Sequence, residues 1–68
     1  MTLRELRRER GWTQRRLARL ARVSARTVCS IERGDHAPHA TTRRKLLRAL
    51  KLSWEDHERV FGPLGRNV

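Results

Sequence analysis

The side chains with chemical capacity fall into two groups. Cys29, His36, His39 and His57 could bind a metal or act as nucleophiles. Only the loop pair His36 and His39 has a spacing that zinc sites use, and a closed zinc site needs four ligands. A Cys–His nucleophile needs a shielded pocket and an orienting partner, and the sequence suggests neither. No catalytic residue, metal site or cofactor is expected. The second group is the cations: fifteen of the seventeen basic residues are arginine. Guanidinium forks suit phosphate and guanine, although codon bias would give the same Arg/Lys ratio.

The arginines are not a tail. Residues 1–51 hold fifteen basic and four acidic side chains, whereas 52–68 hold two and three. The basic residues are interleaved with apolar ones, so they belong to the folded body. A formal net charge of +10 on 68 residues points to a polyanionic partner, nucleic acid first.

At this length there is room for one small domain, with little space for an enclosed catalytic pocket. No apolar run approaches the ~18 residues that cross a bilayer. The opening Met1-Thr2-Leu3-Arg4-Glu5 lacks the apolar stretch of a signal peptide. One cysteine cannot close an intramolecular disulfide. The chain reads as soluble and cytoplasmic, with no membrane partner.

Five short helices and no strand must position these groups. Thr2-x-x-Glu5 is a capping box, with Met1 and Leu6 as a staple. The first helix puts Leu3, Leu6 and Arg10 on one face and stops at Gly11. Thr13 caps a second helix with Leu17, Leu20 and Ala21 inward, and Arg15, Arg16, Arg19 and Arg22 outward. Arg22-Val23 is a short break before Ser24, which caps a third helix ending at Gly34. Pro38 forbids helix just before it. A fourth helix spans about 40–50 with Leu46, Leu47 and Leu50 inward. Ser53-x-x-Asp56 caps a fifth, ending near Gly62-Pro63. The domain is expected over 1–62, with 63–68 as a frayed tail.

Two helices of about eight residues joined by so short a turn make a helix-turn-helix. On the third helix Ser24, Val28 and Ile31 share one side, and Ala25, Arg26, Cys29, Ser30 and Arg33 share the other. A face of small residues and arginines can enter a major groove. It is also what an ordinary solvated face looks like.

The run from Gln14 to Gly34, with Leu17-Ala18, Ala21, Val23-Ser24, Thr27-Val28 and Ile31-Glu32-Arg33-Gly34, resembles the helix-turn-helix of phage Cro and C1 repressors and their bacterial relatives. The likeness extends upstream through Arg7 and Gly11-Trp12-Thr13, and downstream through Pro38, Thr42, Leu46, Ala49-Leu50 and Leu52-Ser53. It implies an all-α, five-helix fold of the lambda-repressor type that binds double-stranded DNA. By position, Ala25, Arg26 and Ser30 would read bases, with Cys29 adjacent. Arg26 would take guanine. Thr13, Gln14, Thr27, Arg33 and the backbone from His39 to Thr41 would face phosphates. Arg7 would pair with Glu32 inside the fold.

Three positions depart from the pattern. Arg22 and Lys51 stand where glycine is usual, and Arg43 stands on the apolar face of the fourth helix, to snorkel outward or to pair with an acid. Other questions stay open. Cys29 is either a redox sensor or a tolerated thiol. Trp54, Val60, Phe61 and Leu64 are either dimer contacts or the domain's own core. The chain is either a small regulator, acting as a repressor and as a homodimer at least on DNA, or an antitoxin-like module that binds a protein through its C-terminal segment and DNA as autoregulation.

Overall fold

The computed structural model describes residues 1–64. Short polar side chains start the helices. The Thr2 hydroxyl accepts from the Glu5 N–H at 3.2 Å and the Glu5 carboxylate accepts from the Thr2 N–H at 2.9 Å, opening α1 (Leu3–Glu9). Thr13 accepts from the Arg16 N–H at 3.0 Å to open α2 (Gln14–Ala21). Ser24 accepts from the Thr27 N–H at 3.0 Å to open α3 (Ala25–Arg33). Each cap satisfies an N–H that the helix itself leaves unpaired. α4 (Ala40–Leu50) follows His39, which supplies no side-chain cap.

These four helices end alike. The chain turns left-handed at Gly11, Arg22, Gly34 and Lys51. The next N–H then reaches back five residues: Trp12 to the Arg7 carbonyl, Val23 to Ala18, Asp35 to Ser30 and Leu52 to Leu47. This is the Schellman closure, and Trp12, Val23 and Leu52 fold back onto the core as it requires. Arg22 and Lys51 adopt φ near 62° and 61°, a conformation that carries a steric cost for any residue with a Cβ.

Leu3, Leu6, Leu17, Ala18, Ala21, Val28, Leu46 and Leu50 form one core, with Leu47 also buried. α2 is sandwiched between α3 and α4. That placement corrects one expectation: Leu20 is exposed, and Ala18, which the periodicity left unassigned, is buried. The short Arg22-Val23 turn brings α3 onto the Ala18 side of α2, where only a small residue fits. The buried arc therefore runs from Leu17 through Ala21 to Ala18, leaving Leu20 at its margin at about 100° per residue.

The C-terminal part also differs from expectation. Ser53 makes no side-chain cap; a 3₁₀ turn (Trp54–Asp56) leads into a short α5 (His57–Phe61). The Asp56 carboxylate accepts from the Ser53 hydroxyl at 3.4 Å through one oxygen and takes the Arg59 guanidinium with the other. Arg43 neither snorkels nor meets an acid. It is fully buried and donates to the carbonyls of Pro38 (2.8 Å), Gly62 and Pro63 (3.2 Å), and to Nδ1 of His57 (2.9 Å). Burial pulls its pKa down from the ordinary guanidinium value, with the Glu58 charge opposing. Pro63, expected within a frayed tail, is thus fastened by its carbonyl, and 65–68 lie outside the described residues.

Two substitutions probe these features. Lys51→Gly removes a Cβ from a left-handed position and should stabilise the domain by up to about 1 kcal/mol in urea unfolding; a lower midpoint would contradict the strain. Arg43→Ala leaves several buried acceptors without donors and should cost about 2–4 kcal/mol in the same assay.

Candidate nucleic-acid interface

The position of α3 is set from behind by one acid. The Glu32 side chain is 0% exposed and the Arg7 side chain 11%. Arg7 grips Glu32 with two parallel bonds, Nε to Oε2 at 2.6 Å and an Nη to Oε1 at 3.0 Å, while its remaining Nη donates to the Trp12 carbonyl at 2.7 Å. The Gln14 amide donates to Oε1 at 3.0 Å, and Arg4 adds its charge at 3.6 Å. One carboxylate thus joins α1, the start of α2 and the end of α3. Burial raises the Glu32 pKa, but the Arg7 and Gln14 hydrogen bonds and the Arg7 and Arg4 charges outweigh it, and hold the group below its ordinary value.

With Glu32 held inside, the opposite side of α3 faces outward. Arg26 and Arg33 are exposed, Cys29 and Ser30 flank them half-buried, and Ala25, two turns before Glu32 on the same side, is half-buried and packs against the core. Of the four residues expected to read bases, Arg26 is therefore exposed, Cys29 and Ser30 lie on either side of it, and Ala25 sits at the margin of the core. Arg33 is less free: it bonds Asp35 at 2.7 Å, which raises its pKa.

The residues expected at phosphates are more varied. Thr13 is exposed and its hydroxyl caps α2. Gln14 spends one amide hydrogen on Glu32 and keeps a second. The Thr27 hydroxyl shares a 2.8 Å hydrogen bond with that of Ser24. His39 and Thr41 are exposed at the start of α4. Arg15, Arg16, Arg19 and Arg22 are exposed along α2. Sequence reasoning missed the Gln14–Glu32 and Arg33–Asp35 bonds. The two-residue Arg33-x-Asp35 spacing was a signal for the second, whereas the first depends on a contact between helices.

The other candidates lie elsewhere. Val60 and Phe61 pack against the core. Trp54 is half-buried and stacks on His57 with ring centroids 4.0 Å apart, and the Arg44 guanidinium lies 4.4 Å above it. Leu64 is exposed. Cys29 and the three histidines do not gather: among the described residues no three His, Cys, Asp or Glu side chains could hold an ion together. No helix among them is long and apolar enough to cross a membrane.

A capped helix, a short turn and a second helix with an outward strip of small and arginine side chains define a DNA-binding helix-turn-helix domain. The helix-turn-helix family model matches residues 3–57, and the chain belongs to the Cro/C1-type family. It is similar to an uncharacterized HTH-type transcriptional regulator, YgzD, of Bacillus subtilis (strain 168), being 33% identical over 54 residues that span 79% of this chain and 82% of that protein. No solved structure matches.

The Glu32 cluster predicts a pH dependence. A carboxylate whose folded pKa is depressed contributes stability in full above its unfolded pKa, about 4.3, and loses it as pH falls through the folded value. Wild type should therefore be more stable than Glu32→Gln at pH 7, and the two melting temperatures should converge on acidification. A constant difference from pH 7 to pH 3 would refute the assignment. Arg7→Ala, which leaves the acid buried with two of its three donated hydrogen bonds gone, should cost about 3 kcal/mol at pH 7.

Proposed function

We propose that this chain is a small transcriptional regulator, acting as a repressor, which binds double-stranded DNA sequence-specifically by inserting α3 into the major groove. The observation that carries this is exposed Arg26 with half-buried Cys29 and Ser30 beside it, and Ala25 at the core margin, on a helix anchored by Glu32. Small residues let the helix approach the base edges, and Arg26 reaches O6 and N7 of a guanine. Ala25 offers a methyl group to thymine. The N-termini of α2 and α4 flank the groove and take phosphates through Thr13, Gln14, His39 and Thr41, with Thr27 and Arg33 on α3 itself.

The protein binds a two-fold symmetric operator as a homodimer, with half-sites about one helical turn, ~34 Å, apart. Val60 and Phe61 pack half-buried against the domain's own core, which leaves Trp54 and Leu64 as the freer contacts for a dimer formed at least on DNA. DNA as partner puts its work in the cytoplasm, on the nucleoid.

The test is competition binding of selected and random duplexes at fixed salt. The selected site should win, and Arg26→Ala should lose discrimination at one base position by about 1–3 kcal/mol. Gln14→Ala should weaken all duplexes alike. Equal affinity for every duplex would eliminate the sequence-specific reading.

A further inference from the structure

Among the described residues three large apolar side chains stay exposed: Met1, Leu20 and Leu64. Leu20 alone of them lies within a helix. It forms the ridge between two shallow grooves. One, of about 380 Å³, runs between α2, the turn after α1 and the end of α4, and is floored by Trp12, Ala49 and Leu50. The other passes Ala21 towards the middle of α4. Charge rims both: Arg10, Arg16 and Lys51 line the first, and Arg22, Lys45 and Arg48 the second. Neither groove is lined by an acid, and neither by any residue of α3.

An apolar ridge with a flanking indole inside an all-cationic rim is complementary to one kind of surface: apolar side chains at helical spacing with carboxylates beside them. A DNA backbone would satisfy the rim but would leave Leu20 and Trp12 against sugar and phosphate. We propose that the Leu20 groove between α2 and α4 is a docking site for an acidic amphipathic helix of a partner protein. Because α2 separates it from the outward strip of α3, the partner and DNA bind together. The partner's carboxylates meet Arg16, Arg48 and Lys51, and its leucine-type side chains cover Leu20.

The probe is a synthetic peptide of about 14 residues with leucines at i, i+3, i+4 and i+7 and glutamate and alanine elsewhere, against a control of the same composition with the leucines spread around the helix. Amide shifts of the full chain are followed by NMR with and without a bound duplex. The expected result is saturable binding with shifts centred on 16–22 and 45–51, about tenfold weaker for the control, and with those at 20–21 and 45–51 retained when DNA is bound. Leu20→Gln should weaken the peptide about tenfold and leave duplex affinity intact. Arg48→Gln should weaken the peptide from the rim while duplex affinity falls no more than in Arg8→Gln, an exposed arginine outside the groove, which covers the case that Leu20→Gln melts early. Equal binding of the control peptide would reduce the site to general charge attraction and overturn the proposal. So would shifts centred on 25–33, displacement by DNA, absence of saturable binding, or a parallel loss of duplex affinity in both variants.

Discussion

A carboxylate removed from water has to be met by donors, or it costs several kcal/mol. Glu32 is such a carboxylate, and the geometry of the outward face depends on how it is met. Arg7 comes from α1, Gln14 from the first position of α2, and Glu32 itself from the last turn of α3. No two of these helices can shift against each other without unpairing the acid. The strip of Arg26, Cys29 and Ser30 is thereby held at a fixed offset from the N-terminus of α2. A hydrophobic core of leucine, alanine and valine would not impose this alone, because apolar contacts tolerate sliding that bidentate hydrogen bonds do not. Gln14 is at once a prop for α3 and, through its second amide hydrogen, a group available at the surface.

Arg43 is the mirror case, a buried cation met almost entirely by backbone. Its guanidinium takes the carbonyls of Pro38, Gly62 and Pro63, groups that a short chain leaves unpaired at a loop and at the end of its last helix. Arg10 does related work, bonding the Leu6 and Leu50 carbonyls and so tying α1 to the end of α4. A fork of five donors does this better than an ammonium could. α5 has five residues and no cap of its own, so its attachment rests on this arginine and on Val60 and Phe61 against the core.

How much of this could be read in the sequence follows from the range of the interactions. Caps and closures are local, and Thr2, Thr13, Ser24 and Gly34 marked the first three helices correctly. The left-handed Arg22 and Lys51 were legible only by comparison with a pattern that prefers glycine there. The candidate strip on α3 followed from periodicity, since Val28 and Ile31 fix which side faces inward. What was not legible depends on contacts between distant elements. Leu20 lies outside the buried arc and the unassigned Ala18 within it because the side of α2 that α3 covers is a tertiary fact. Arg43 found carbonyls rather than an acid because its partners lie up to twenty positions away, at a chain turn that no local rule predicts.

The arginines therefore divide into two populations with different physics. Arg7 and Arg43 are internal donors, shielded from solvent and little affected by salt, and Arg10, at the edge of the Leu20 groove, spends its guanidinium on two carbonyls. Arg15, Arg16, Arg19, Arg22 and Arg26 are exposed and without an acidic partner among the described residues, so they supply the long-range attraction to a polyanion that salt screens. Arg33 is intermediate, because it must leave Asp35 before it can take a phosphate, and the carboxylate it leaves behind then faces the same backbone. Folding and the attraction to DNA thus draw on separate charges in one small domain: raising the salt concentration weakens the second population's pull on DNA while the Glu32 and Arg43 clusters keep α3 and α5 in place.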